Sequence, residues 1–422
     1  MKREILSLVL AAALSVFALA GCGAADESTA DSSSEEESSE SETESDETED
    51  TETGEASSEA SSESVSEEET QSQDYGTLYV SFPTGNIRMA MDILALEKGY
   101  FEEEGVTVEP LNITGQDALT AINNGGGQLD LLTVGFVADL QAIGSGYDLQ
   151  IIAGTAVEGG AIIAKEGSAS AYQDDDTILN TEAVLSAQLG LVRNEAAWVI
   201  TRQYLLDSGV SEEDIEAIED ESSGNISYYQ DQLEVAQAIS KGEIDLGFLP
   251  MEYALLYADS YGLELVTEAG DLQENYVCCR VVTSSAVIES KYDALVAYLK
   301  AKIRAFEYYK QGETDESIRE DIVNTVAAYS GKEVDYVETY LYDGVTVYDT
   351  DPNTAGVISY VEAAVNSGLL DSSATDFSTY DITQNIDVSV YEQAINELVQ
   401  TYADDSFFAE LLEQFEADNA AA

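Results

Sequence analysis

From Leu78 onward, short β-type runs alternate with helical ones, and this alternation leaves few folds open. Leu78–Phe82 reads as a strand, Pro83–Asn86 as a turn, and Ile87–Lys98 carries apolar residues at helical spacing until Gly99 stops it. Val106–Leu111 is the next strand, Gly115–Asn123 the next helix, Asp130–Val134 a buried-type strand, Phe136–Ile143 a helix and Leu149–Ala153 a strand. After the acidic loop near Gln173 a second series starts. It has strands at Gln188–Val192, Ile244–Leu249 and Leu263–Glu268, and helices at Glu195–Ser208, Gln232–Ser240 and Glu252–Asp259. Strands and helices in alternation predict right-handed βαβ units and mainly parallel sheets. Tyr276–Thr283 is an apolar strand placed to return to the first unit, and beyond Ser290 the pattern is helical. A long helix is predicted over Lys291–Tyr309, with others near 315–330, 333–342, 354–367, 388–402 and 406–416. The expected fold class is therefore α/β, with two lobes, each a mixed, mainly parallel sheet flanked by helices, and a helical C-terminal region.

The body has the apolar content of a globular protein, since 44% of the chain is hydrophobic. Its formal net charge is −68, which argues against nucleic acid and anionic membrane surfaces as partners. There is no histidine. That removes His-based acid–base chemistry, Ser-His-Asp and Cys-His nucleophiles and most zinc sites. A carboxylate-only mechanism stays open, because Asp and Glu are abundant, but no spaced pair stands out from the acidic background, and no catalytic residue, cofactor or metal ligand is singled out. Cys278 and Cys279 are adjacent, a spacing that makes an ordinary disulfide difficult. They read as strand residues, at least one of them buried.

The first 74 residues are different in kind. Lys2 and Arg3 precede an apolar run from Ile5 to Ala20, too short for a comfortable membrane span, which marks residues 1–21 as a signal peptide. The ending Leu19-Ala20-Gly21-Cys22 resembles the lipobox of bacterial lipoproteins, which implies cleavage before Cys22 and a lipid on its thiol. The alternative to it is an ordinary signal peptide that happens to contain a cysteine. Residues 22–74 are almost entirely Ser, Glu, Thr, Asp and Ala, which buries too little surface to fold and repels itself into an extended tether. Such a flexible segment has a root-mean-square reach of roughly 40 Å. The expected location is extracytoplasmic, lipid-anchored to the outer face of the bacterial membrane.

Several stretches, in order, resemble extracytoplasmic solute-binding proteins of ABC importers for nitrate, sulfonates, taurine and thiamine pyrimidine precursors. Ala95–Val106, with its Glu97-Lys98-Gly99-Tyr100-Phe101 core, is similar to the family's early helix–turn–strand segment. Gly115–Leu119 with Gly127–Asp130 resembles its second helix and third strand, and Gly159–Ala164 its first crossover. Ala236–Asp245 with Phe248-Leu249-Pro250 resembles the second-lobe switch segment, and Asn275–Arg280 the return crossover. The resemblance spans Thr77 to about Tyr309 and implies the bilobal, periplasmic-binding-protein-like type II fold. Residues 75–165 and 275–422 would form lobe 1 with the C-terminal helices, and 166–274 lobe 2. It implies capture of a small solute by hinge closure and delivery to ABC permease and ATPase subunits by a monomer. A ligand-sensing lipoprotein that presents solute to a membrane receptor is the alternative. Pyrimidine-synthesising enzymes related to this family rely on an active-site histidine and a cysteine-rich motif. This chain lacks the first and has only the Cys278–Cys279 pair, so no enzyme is expected.

In such a fold, ligands bind beyond the carboxyl ends of strands, where small residues expose backbone N–H groups and helix N-termini favour anions. The candidates on this basis are Thr84, Gly85, Asn86, Gly115, Gln116, Gly135, Phe136, Gly160 and Asn194. Arg88 and Arg193 are candidate anion contacts, or solvated surface arginines. Asn86, Gln116 and Asn194 are equally good helix-start residues. Tyr229, Gln230, Pro250, Met251 and Glu252 lie at second-lobe junctions, and Tyr276 lies on the return crossover. Trp198, inside a helix, is read as core. The solute stays open between a small anion and a planar heterocycle.

Overall fold

The computed structural model describes residues 73–123, 128–174, 178–220, 222, 224–343, 346–370 and 373–420. The expected signal peptide, Cys22 and the tether up to residue 72 lie outside the described residues.

Eleven strands are formed among these residues. Strands β1 (Thr77–Ser81) and β2 (Thr107–Leu111) pair in parallel, and Val80 bridges to Leu131 just before β3 (Leu132–Gly135). A four-stranded sheet has the order β11-β4-β10-β3, with β4 at Gln150–Val157, β10 at Val277–Thr283 and β11 at Val347–Tyr348. The second sheet has the order β7-β6-β8-β5-β9, with β5 at Gly160–Lys165, β6 at Leu189–Val192, β7 at Ile226–Tyr229, β8 at Leu246–Pro250 and β9 at Leu263–Glu268.

The α/β class and the two helix-flanked sheets are as expected, but the parallel majority is not. β10 runs antiparallel to both β3 and β4, β11 antiparallel to β4, and β5 antiparallel to both β8 and β9. Only β1–β2, β6–β7 and β6–β8 are parallel ladders. The reason lies in the crossovers. The chain passes from β4 to β5 and from β9 to β10, and each crossing strand enters its sheet from the opposite end to the βαβ strands around it. The boundary also moves. β5, placed with the first lobe in the sequence reading, belongs to the five-stranded sheet, so the chain changes sheets at Glu158–Gly159.

Helix starts follow capping chemistry. Asn86 accepts from Arg88 N, Asp231 from Glu234 N and Asp315 from Ile318 N. Gly99, Gly242 and Gly331 adopt positive φ at helix ends, where a side chain would be strained. The long C-terminal helix runs Ser285–Gln311 with non-helical dihedrals at Lys291, the residue where the apolar periodicity begins. There Lys291 Nζ reaches Thr77 O (3.0 Å) and Asp130 Oδ2 (2.8 Å). Each of two buried apolar clusters draws residues from both sheets, for example Val281 with Leu249, and Val282 with Phe248. The halves thus share buried surface. The Thr354–Asn366 helix, expected with the first lobe, also packs on the second-lobe helix Ala196–Asp207. Among the described residues no helix is long and apolar enough to cross a membrane.

Candidate functional site

A cavity of about 310 Å³ lies between the two sheets. From the first sheet come Gly135, Phe136, Val137, Ala138 and Gln141, and from the crossovers Gly159, Gly160, Tyr276 and Cys278. Asn194, Glu195, Ala196 and Pro250 come from the second sheet's strand ends, Arg88 from the turn after β1, and Tyr360 from the C-terminal region.

Three helices begin on this cavity. Gly135, Glu195 and Pro250 are the N-cap residues of the Phe136–Gly144, Ala196–Asp207 and Met251–Tyr261 helices. The leading N–H groups of a helix have no partner within it and carry partial positive charge. No side chain caps the Phe136–Gly144 helix. At the Ala196–Asp207 helix the Glu195 carboxylate accepts from Ala197 N at 3.4 Å. Gly160 shows why a small residue stands at the crossover: a Cβ there would lie 2.8 Å from Tyr276 Oη, which accepts the Gly160 N–H at 2.8 Å.

The charges are arranged across the gap. Arg88 Nε pairs with Glu252 Oε2 at 3.1 Å, joining the first half to the second, and the Tyr340 hydroxyl lies 3.5 Å from the same oxygen. Burial works against the Arg88 charge, but Glu252, Tyr340 and the two cysteines outweigh it and hold the guanidinium firmly protonated. Burial pushes the Glu195 carboxyl from 4.5 up to about 7, against the pull of the Ala197 N–H and of Arg88. The aromatic wall is Phe136 edge-on to Tyr360 (5.5 Å) and Tyr360 stacked on Tyr276 (6.3 Å). Tyr360 is 1% exposed, and among the described residues its hydroxyl has no hydrogen-bond partner. Among the described residues no group of three or more His, Cys, Asp and Glu is placed to hold a metal ion.

Of the sequence candidates, Arg88, Gly135, Phe136, Gly160, Asn194, Pro250 and Tyr276 come together on this cavity. Met251 and Glu252 line a small adjoining space with Arg88 and Tyr340. Thr84, Gly85 and Asn86 border a separate depression on the far side of the Arg88–Glu252 pair. Five others lie elsewhere. Gly115 and Gln116 are exposed, with Gln116 Nε2 3.3 Å from the Tyr147 hydroxyl. Arg193, two residues after Leu191, whose β7 partner is Tyr228, stacks on the Tyr228 ring at 4.0 Å and is not among the cavity's lining residues. Tyr229 and Gln230 are outside the cavity walls, since β7 is an edge strand. Trp198 is core, edge-on to Phe248 at 5.0 Å. Sequence reasoning missed Glu195, Gln141, Cys278 and Tyr360. Glu195 carried a signal, a carboxylate at a helix start beside Asn194. Tyr360 carried none, because it arrives from a distant segment.

A cavity walled by two sheets, crossed twice by the chain and faced by helix N-termini defines a two-lobed binding-protein fold. The chain belongs to the NMT1/THI5-like family, whose model matches residues 86–312. Among solved structures it is similar to a putative sulfonate ABC-transporter periplasmic sulfonate-binding protein, SsuA, from Methylobacillus flagellatus KT: 14% identity, 77% of this chain and 96% of that chain, TM-score 0.57. It is also similar to the periplasmic nitrate-binding protein NrtA from Synechocystis PCC 6803: 13% identity, 79% and 91% coverage, TM-score 0.55. A third is the ligand-binding component of an ABC-type import system from Staphylococcus aureus: 14% identity, 76% and 99% coverage, TM-score 0.54. At these identities the likeness is one of fold, and that fold is the periplasmic-binding-protein fold expected from the sequence. No curated protein matches the chain in sequence.

Proposed function

We propose that this protein is the extracytoplasmic solute-binding component of an ABC importer and that it performs no chemistry on its cargo. The observation that carries the reading is the convergence of three helix N-termini and Arg88 on one cavity between two halves. Positive partial charge suits reversible capture of an anionic group. The volume and the Phe136–Tyr276–Tyr360 wall suit a solute with an organic body rather than a bare inorganic ion. The unpartnered Tyr360 hydroxyl and the Gln141 amide supply hydrogen bonds to its other end. An organic sulfonate fits this description best, taurine and simple alkanesulfonates being the nearest probes. A pyrimidine-type heterocycle is favoured by the aromatic wall alone.

Binding would hold the halves together where the Arg88–Glu252 pair already joins them, and the closed form is what a permease would read. The hinge in this reading is the pair of crossovers at 158–159 and 269–276. A lipid on Cys22 would keep the monomer at the outer membrane face on its acidic tether. A thermal-shift panel of nitrate, taurine, alkanesulfonates and aminopyrimidines tests the proposal. A sulfonate at 100 times its dissociation constant should add about 2.7 kcal/mol to stability and be recovered unchanged. A panel in which nothing shifts the transition, or a cargo recovered altered, would overturn it.

A further inference from the structure

The two cysteines of β10 take no part in solute capture as derived above, yet their geometry is specific. In a regular strand neighbouring side chains point to opposite faces, which parts adjacent sulfurs. β10 departs from that rule here. Val277 pairs with Val157 and Cys279 with Ala156, so Cys278 has no partner across the ladder, and the register shifts again between Cys279 and Arg280. A bulge of this kind re-aims a side chain and is enriched beside functional sites. Its result is Cys278 Sγ only 3.5 Å from Cys279 Sγ, both as free thiols. Cys278 lines the 310 Å³ cavity, while Cys279 is 3% exposed behind it. Arg88 Nη1 donates toward Cys279 Sγ at 3.9 Å.

We propose that Cys278 and Cys279 form a thiol–disulfide exchange site in the cavity wall, with low-molecular-weight disulfides as reagent and a vicinal disulfide as product. This goes beyond the solute-binding reading and does not rest on it. The electrostatics give the pair one thiolate, which rests on Cys279 beside Arg88 while Cys278 keeps its proton. The S–H of one cysteine donates to the sulfur of the other, and with Arg88 this outweighs burial to bring Cys279 down to about 6, while Cys278 is pushed up. The pair thus releases one proton readily and holds the second, the state an exchanging dithiol needs.

The step balances as follows. The single negative charge of the pair moves to Cys278 as the remaining proton passes to Cys279 along their contact. Cys278 thiolate attacks one sulfur of RSSR, an S–S bond breaks, and RS⁻ leaves with a mixed disulfide on Cys278. Cys279 gives up its proton and attacks Cys278 Sγ, expelling the second RS⁻. The pair is oxidised by two electrons, RSSR is reduced to two thiol equivalents, and one proton is shared between them. Consecutive Cα atoms are 3.8 Å apart, closer than in ordinary disulfides, so the ring formed is readily reopened by free thiols. Closing it removes negative charge from beside Arg88.

The test uses the full chain carrying Cys22→Ser, which leaves Cys278 and Cys279 as its only cysteines. The folded protein is exposed to hydroxyethyl disulfide without oxygen, and intact mass is followed. The expected product is lighter by two hydrogens, carries no adduct and is restored by dithiothreitol. Cys279→Ser should trap a stable mercaptoethanol adduct on Cys278, and Cys278→Ser should react roughly tenfold or more slowly because its sulfur is buried. A retained adduct on the two-cysteine protein, or no reaction in the folded state, overturns the proposal.

Discussion

Glu195 sits at a helix start, against the cavity, with the Arg88 charge acting on it. Its carboxyl titrates near 7 when folded and near 4.5 when unfolded. Between those values the folded chain keeps a proton that the unfolded chain releases, so stability must fall as pH rises from about 4.5 to 7, and then level off. The loss is on the order of 3 kcal/mol. Asp351, pushed up to about 7 first by burial and then by Asp349, adds a slope of the same sign. Comparison with Glu195→Gln isolates the Glu195 part. In urea titrations at pH 5 and pH 8 the wild type should lose more stability than the variant, and equal losses would contradict the assignment. The sequence displayed Glu195 but not its burial, which depends on the first half, with Arg88 and Tyr360, closing over it. Arg193 shows the converse. Its scarcity as a cation drew attention, but it shares a face with Leu191, whose partner on β7 is Tyr228, and its guanidinium stacks on that ring.

Two helices of the first half are held by a buried charge pair. Asp92 on the Ala90–Glu97 helix meets Lys302 on the Ser285–Gln311 helix at 2.6 Å, both side chains fully inaccessible. Thr155 Oγ1 accepts a second Lys302 hydrogen bond at 3.1 Å, and the Tyr298 hydroxyl donates to Asp92 Oδ1. Breaking such a pair strands the remaining charge in a dry interior. Lys302→Met should therefore cost about 3–5 kcal/mol in urea unfolding, and a cost below about 1 kcal/mol would show that the pair is not load-sharing. Helix positions were legible in the sequence because apolar period and capping residues agree, as at Gly115–Asn123, found to the residue. The pairing of Asp92 with Lys302 was not, because helix period names a face without naming its partner. β11 was missed for a related reason: two residues carry too little period to read.

At the scale of the molecule, the two crossovers are tied to each other. Glu158 and Asn275 both hold positive φ, Glu158 N donates to Tyr276 O at 2.9 Å, and Asn275 N donates to Glu158 Oε1 at 2.9 Å. Non-glycine residues held in that region store strain, which suits positions that move. The Thr354–Asn366 helix of the C-terminal region adds a further tie to the second half. Asn366 Nδ2 donates to Gln203 Oε1 at 2.9 Å and Asn366 O accepts from Arg202, so this helix grips the second half while Tyr360 closes the cavity. The two-lobed layout was legible because alternation and crossover motifs recur in order. The sense of the crossing strands and this C-terminal clasp were not, since both are set by which segment fills an edge or a gap. If the Cys22 lipid is the anchor, Cys22→Ser protein should leave the membrane fraction for the medium in a cell fractionation, and its retention would contradict that part of the account. The central claim is that one solute is held between the halves, in the cavity bounded by Ala138, Arg88 and Tyr360. Titration calorimetry of the best solute from the panel against wild type and Ala138→Trp tests it directly. The account predicts one site per chain in the wild type and affinity at least about tenfold weaker, ~1.4 kcal/mol, with the cavity filled; unchanged affinity in the filled variant would place the solute somewhere else and contradict it.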